Sequence, residues 1–282
     1  MTKEMLVLIG FVVYVLITSL FIEPNSLETV KYEIEDNQLQ GIKVAFLSDF
    51  HLKRRDYKRL DKIIKYTNSH NPDIVLLGGD FANGKDAKST MLPSIMASKL
   101  SLMNAPTYAV LGHNDWLVNG NEIKQALRNN NIRVLDNSNT RTIIKSRYVD
   151  IIGIADITTQ QPKIAQAFRR TGLPRIVITH NPDIYYDIID SANIIFAGHT
   201  HGGQFVVPFA KPMFVQSRYG SELASGLVKK TRNKIIISKG LGLSGIPMRF
   251  NCKPEVTIVN FVKVGATSKT QQNKKSKYKY FH

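Results

Sequence analysis

An α/β fold is predicted by two observations. From about Ile42 onward, short apolar runs of strand length alternate with segments of helical spacing, and a polar cluster follows the carboxyl end of five of these runs. The length of 282 residues fits one large domain or two small ones. With 43% hydrophobic and 21% charged residues, the chain is neither disordered nor fibrous.

Residues 42–47 (IKVAFL) read as a buried strand, and Tyr57 to Ser69 has helical spacing. Residues 73–77 (DIVLL) form the next strand, followed by a helix over Pro93 to Met103. TYAVL (107–111) is a strand, and Glu122 to Asn129 a helix. Arg133 to Gly153 holds several β-rich pieces with DNSN at a turn. A helix near Lys163 to Arg170 precedes the strand RIVIT (175–179), a helix at Ile184 to Ile189 and the strand NIIFA (193–197). KIIIS (234–238) and VTIVNF (256–261) make the last third strand-rich. The alternation implies βαβ units and a largely parallel sheet.

Two terminal segments stand apart. Residues 5–22 are uncharged and long enough to span a bilayer as a helix. An uncleaved anchor fits better than a signal peptide, because the run is long and Glu23, Pro24 and Asn25 offer no small-residue cleavage site; a core helix would carry a polar face. Flanking charges are nearly balanced, Lys3 against Glu4 and Lys31 against Glu23 and Glu28, so the side of the membrane stays open. Residues 265–282 carry lysines and no acid, and read as a disordered basic tail. The single cysteine, Cys252, excludes a disulfide scaffold and reads as packing. The net charge of +16 points to an anionic partner: nucleic acid, a membrane surface or a phosphorylated substrate.

The polar clusters carry the chemistry. They are Ser48-Asp49-Phe50-His51, Gly78-Gly79-Asp80, Gly112-His113-Asn114-Asp115, His180-Asn181 and Gly198-His199-Thr200-His201. Loops at the carboxyl ends of parallel strands converge, so these clusters should meet. Five of the seven histidines lie in them. Carboxylate oxygen with imidazole nitrogen suits Mn, Fe, Zn or Co. On an extended segment Asp49 and His51 share a face, as do His199 and His201, and Asp80 can bridge two ions. Two divalent ions about 3.5–4 Å apart suit phosphoryl transfer to a metal-bound hydroxide. Trp116 reads as core or lid packing.

The ordered set SDFH, GGD, GHND, TH and GHTHGG resembles the signature of calcineurin-like metallophosphoesterases, over roughly Gly41 to Asn260. KGLGLSGIPMRFNCKPEVTI and GHTHGGQ resemble a bacterial, often membrane-associated branch with phosphodiesterase-like members, some hydrolysing the pyrophosphate of UDP-2,3-diacylglucosamine. The resemblance implies two packed mixed β-sheets flanked by helices, an αββα sandwich over residues 41–262, behind a transmembrane anchor at 5–22. It implies a single-pass protein of a bacterial inner membrane. Asp49, His51 and His201 would bind the first metal and His180 and His199 the second, with Asp80 bridging.

GHND departs from the family's usual Gly-Asn-His-Asp. In register, His113 takes the ligand place and Asn114 the phosphate-contacting place, where an amide cannot protonate a leaving group. A one-residue shift would restore Asn114 as ligand. The in-register reading is favoured, because the strand holds the loop. Asp115 would orient the catalytic position or hold a backbone amide. Arg54 and Arg55 are candidates to clamp a substrate phosphate, with a solvated helix flank as the alternative, and the resemblance offers Arg249 as a cleft residue.

A membrane-anchored phosphodiester or pyrophosphate hydrolase, acting on a lipid-linked substrate such as UDP-2,3-diacylglucosamine, fits these features best. An apolar groove for a lipid would lie near the Pro93–Met103 helix. A nuclease or nucleotide phosphodiesterase suits the charge, but an anchor and the lack of room for a duplex-gripping domain argue against a nucleic-acid partner. A non-catalytic metal-binding protein has only the GHND exchange in its favour.

Overall fold

The computed structural model describes residues 2–84, 86–188 and 191–265, so nearly all of the lysine-rich segment expected from residue 265 lies outside the described residues. Helix α1 (Lys3–Ile17) continues through a π-helical turn (Thr18–Ile22) and a 3-10 turn (Glu23–Asn25). Thr2 caps its start, accepting a hydrogen bond from the Met5 amide at 3.3 Å. The helical run spans 23 residues and covers the expected 5–22 segment. No residue of α1 is buried, so this is not a core helix of the domain.

Two six-stranded sheets follow. The first holds β1 (Glu28–Glu35), β2 (Lys43–Leu47), β3 (Ile74–Leu77), β4 (Thr107–Ala109), β5 (Arg133–Val134) and β12 (Glu255–Val262), ordered β1-β12-β2-β3-β4-β5. All its neighbours are parallel except β12 and β2. The second holds β6 (Ser138–Ile144), β7 (Arg147–Ile154), β8 (Arg175–Thr179), β9 (Ile194–Ala197), β10 (Gly226–Val228) and β11 (Ile235–Ile237). There β7, β8, β9 and β11 run parallel, with β6 and β10 antiparallel at the edges.

The single largely parallel sheet implied by the alternation is therefore two mixed sheets, as the resemblance implied. The chain changes sheets at DNSN (136–139), between β5 and the β6–β7 hairpin. Alternation of strands and helices specifies local order, not sheet membership.

Packing on both faces explains the uninterrupted apolar strands. Val44 and Phe46 of β2 point into a core shared with Ile176, Ile178 and Phe196 of the second sheet, while Ala45 and Leu47 point the other way. Phe46 meets Phe196 across the seam, ring centroids 5.2 Å apart. The outer face of the first sheet is covered by α2 (Tyr57–Asn68), α3 (Pro93–Leu100) and α5 (Gly120–Asn129). Helix α2 buries Leu60, Ile63, Ile64 and Thr67, one stripe at helical spacing. Asn119 caps α5, accepting from the Glu122 amide at 3.2 Å. The outer face of the second sheet packs against Tyr185, Phe168 and Leu223.

Three local expectations change. The helix expected at Ile184–Ile189 is a 3-10 turn, Pro182–Tyr186, and the one near Lys163–Arg170 is a single turn, α6 (Ile164–Ala167). Strand β1 and the short helix α4 (His113–Val118) were not anticipated. Helix α3 turns Met96, Ala97 and Leu100 into the core.

Candidate functional site

The five polar clusters meet where the carboxyl ends of the two sheets come together. Asp49 and His51 follow β2, and Asp80 follows β3. Asn114 lies in the first turn of α4 after β4, His180 follows β8, and His199 and His201 follow β9.

The loops are built against each other. The Asp49 amide donates to Gly79 O at 2.9 Å and the His51 amide to Asp80 O at 3.0 Å, so the two loops of the first sheet run side by side. Across the seam the His199 amide lies 3.0 Å from both oxygens of Asp49. A side chain at Gly198 would overlap Ser48 and Asp49, and one at Gly112 would overlap Asp80. These contacts require glycine.

Five functional side chains stand on left-handed backbone: Asp49 (φ 55°), His51 (44°), Asp80 (52°), His199 (72°) and His201 (52°). This conformation is uncommon outside glycine and concentrates where surrounding structure over-determines it. The extended geometry expected for the Asp49–His51 and His199–His201 pairs is thus replaced by tight turns, which aim the side chains inward by another route.

Two groups emerge, Asp49–His51–His201 and Asp49–Asp80–His180, with ligand atoms in each within 4.8 Å of one another. Asp80 Oδ2 lies between them, 3.6 Å from His51 Nε2 and 3.5 Å from His180 Nε2. His51 Nε2 approaches His201 Nε2 at 3.0 Å, and His199 Nδ1 approaches His180 Nε2 at 3.2 Å. Imidazole nitrogens facing each other beside buried carboxylates suit a shared cation. The donor set of carboxylate oxygen and imidazole nitrogen fits divalent transition metals.

His180 is fixed from behind, its Nδ1 2.8 Å from the Gly78 carbonyl, which turns Nε2 to the site. Burial pushes His51 and His199 down to about 4 and His201 well below its usual value, leaving these rings neutral and able to ligate at neutral pH. Burial would also lower His180, but Asp80, Asp49 and Asp156 outweigh it and hold that ring well above the ordinary histidine range. Asp80 shows the reverse balance. Burial raises its carboxyl, yet His180, His51 and the Asn114 amide hold it far below the usual carboxylate range. Burial raises Asp49 to about 6.

The exchanged pair in GHND separates. Asn114 puts its backbone N–H 2.7 Å from Asp80 Oδ1 and its side-chain nitrogen 2.5 Å from Oδ2. His113 and His199 both lie outside the two groups, but His199 Nδ1 approaches His180 Nε2 while His113 Nδ1 has no hydrogen-bond partner. Asp115 accepts from the amides of Gly112 and Ala82, both at 2.9 Å, and so clamps the β3 loop to the start of α4. Trp116 packs against the core of the first sheet.

The arginines are not gathered at the site. Arg54 donates to the Lys88 carbonyl at 3.3 Å from an exposed position, and Arg55 is exposed. Arg249 is wholly buried. Its guanidinium donates to the carbonyls of Lys239, Gly242 and Cys252 and lies 3.3 Å from His201 Nδ1. It braces the wall behind His201 and offers no surface to a substrate, unlike the cleft residue expected.

Asp156 was missed. It follows β7, and its charge acts on both His180 and His199. The strand-end rule that found the other clusters would have found it, since IIGI leads directly into Ala155-Asp156. Arg59 of α2, which donates to Phe50 O and Leu241 O at 2.8 Å and lowers His51, carries no such signal.

Comparison with known proteins gives consistent matches. The family described as calcineurin-like phosphoesterase matches residues 42–203. Phosphodiesterase YaeI of Escherichia coli is 30% identical over 86% of this chain and 91% of its own length. The metallophosphoesterase YkuE of Bacillus subtilis is 27% identical, covering 84% and 86%. The UDP-2,3-diacylglucosamine pyrophosphatase LpxG of Chlamydia muridarum is 24% identical, covering 84% and 90%.

Proposed function

The chain belongs to the calcineurin-like phosphoesterase family and is a metal-dependent hydrolase, and from that premise we propose that it is a membrane-anchored, dinuclear enzyme cleaving a phosphodiester or pyrophosphate bond. The convergence of two ligand groups on Asp49 and Asp80 carries this reading. Asp49, His51 and His201 would hold the first ion, and His180 and His199 the second, with Asp80 shared. Asn114, rather than His113, is the residue bonded to Asp80 and would offer its side-chain oxygen to the second ion. When bound, two divalent ions supply Lewis acidity and an activated water for phosphoryl transfer.

The chain's own residues do the rest. Left-handed turns and the Asp115 clamp hold the ligands rigid before substrate arrives. His113, whose charge acts on His199 and whose Nδ1 has no hydrogen-bond partner, would be the group that meets the substrate's leaving oxygen. The exposed N-terminal helix supports residence in a bacterial inner membrane. A lipid-linked phosphate ester fits that placement, and LpxG acts on a molecule of that kind.

Full-length protein purified in detergent and supplied with Mn or Zn should hold about two ions per chain and hydrolyse bis(p-nitrophenyl) phosphate. Turnover of UDP-2,3-diacylglucosamine, with the product identified, tests the lipid-linked substrate. A protein with no metal affinity and no turnover would overturn the reading. Deleting residues 2–17 should move the protein from the membrane to the soluble fraction.

A further inference from the structure

A cavity of about 750 Å³ opens beside His201. Its walls are mostly apolar, with Phe205, Met213, Phe214, Val215, Ile246 and Met248 outweighing Gln204, Gln216 and Ser244. The volume is in the range of a small-molecule site. Around its mouth the loop between β9 and β10 exposes apolar side chains that a soluble protein would cover. Phe209 is fully exposed, Met213 and Phe214 are more than 70% exposed, and Ile246 is 65% exposed.

The walls are joined to the end of the N-terminal helix. The Arg249 amide donates to Ser19 O at 2.9 Å, and the Cys252 amide to Glu23 Oε2 at 3.0 Å. The next residue, Phe250, pairs with the start of the loop. Its amide donates to Gln204 O at 2.9 Å, the Val206 amide donates back to Phe250 O at 2.9 Å, and Phe205 stacks on Phe250. Gln204 ties this wall to the opposite one, bonding Ser244 through both its side-chain oxygen and nitrogen. The strand-like segment that backs the cavity is therefore bonded to the end of the apolar helix, and His201 of the site lies in the cavity's lining.

We propose that this cavity seats an acyl chain of a lipid whose phosphate reaches the metal site, with the rim at residues 207–214 and Ile246 lying in the bilayer as a second contact beside the helix. The occupant must be apolar along its length, because the walls offer little to bond to. It carries an anionic group, because the lining includes His201, a member of a candidate metal-ligand group that a phosphate would approach. Its source is the bilayer, because the rim exposes apolar side chains and Arg249, next to the lining residue Met248, is bonded to the end of the apolar helix. This rests on the phosphoesterase reading above and adds where the lipid binds.

The test uses full-length protein in phosphatidylglycerol vesicles containing phosphatidylglycerol with a diazirine at the end of one acyl chain. After irradiation, mass spectrometry should find adducts on residues 205–215 and 244–248 as well as on the helix. Val215→Trp and, independently, Met248→Trp fill the cavity and should each lower the adduct yield on 244–248 about tenfold, the equivalent of excluding about two methylenes. Adducts confined to residues 3–25, or unchanged in both variants, would overturn the proposal. The readout needs no turnover. Adducts without any hydrolysis would sink the phosphoesterase reading and leave the lipid seat standing, whereas hydrolysis of bis(p-nitrophenyl) phosphate without adducts would do the opposite.

Discussion

The carboxyl ends of the two sheets make unequal contributions to one site. The first sheet supplies both carboxylates, Asp49 and Asp80, together with His51 and Asn114. The second supplies imidazoles to the ligand set, His180, His199 and His201, with the Asp156 carboxylate behind two of them. The ligating carboxylates come from one sheet and most of the imidazoles from the other, so neither sheet alone forms a site for two ions. Buried carboxylates packed together would repel, and the opposing imidazoles relieve that repulsion before any metal binds. The low position of the Asp80 carboxyl and the high position of the His180 ring are two sides of that relief.

The sharpest way to break the comparison is to remove one donor from each side. Asp80→Ala leaves His180 and His51 without their carboxylate partner. Removing one member of a buried charged pair costs about 3–5 kcal/mol of stability. Separately, losing the carboxylate shared by both groups should lower bound metal and cut turnover by about 10²-fold, a barrier increase of about 2.7 kcal/mol. His199→Ala takes one neutral donor from the second sheet and leaves both carboxylates. It should lower metal content towards about one ion per chain, with a smaller loss of the tighter ion. Atomic-emission metal analysis beside a bis(p-nitrophenyl) phosphate assay separates the two. Equal losses in both variants would erase the distinction between the sheets.

The seam itself is next. Phe46→Ala empties the contact with Phe196 between the sheets and should cost about 3–5 kcal/mol of stability, read as the shift in a urea unfolding curve. The smallest effect belongs at the opposite, amino-terminal end of the second sheet. Asp150 of β7 is paired there with Arg141, at 2.8 Å and 2.9 Å, and accepts from the Gly172 amide. Burial would raise its carboxyl, but Arg141 and the Gly172 amide hold it below the usual value. Such a group stabilises the fold above its unfolded pKa, and that contribution fades as pH falls through the lower folded value. Asp150→Asn should therefore be mildly less stable than wild type at pH 7, and the gap should close as the pH falls through the lowered folded value. Turnover at pH 7 should not change. A gap that persists in acid would assign the effect to shape rather than charge.

Much of this was legible in the sequence. The strand runs at 42–47, 73–77, 175–179 and 193–197 each became a buried strand, because packing on both faces demands uninterrupted apolar residues. The clusters after them converge as strand-end loops should. Sheet membership was not legible, because the same alternation of strand and helix serves one sheet or two. Nor was the pose of Arg249, whose PMRF context says nothing of the carbonyls that surround it. The GHND loop shows the limit most clearly. Residue order favoured His113 as the ligand, while the helix that starts at His113 turns Asn114 toward Asp80.

The sequence by itself determined the family, the kind of donor and the strand ends that carry them, because these depend on residue type and spacing along the chain. Only the tertiary structure decided how they are shared. Carboxylates meet imidazoles because two sheets pack face to face, and the ligands reach inward through left-handed turns that backbone contacts across the seam hold in place. It also set an apolar cavity between that seam and the N-terminal helix, from loops that are distant in sequence and so leave no pattern in it.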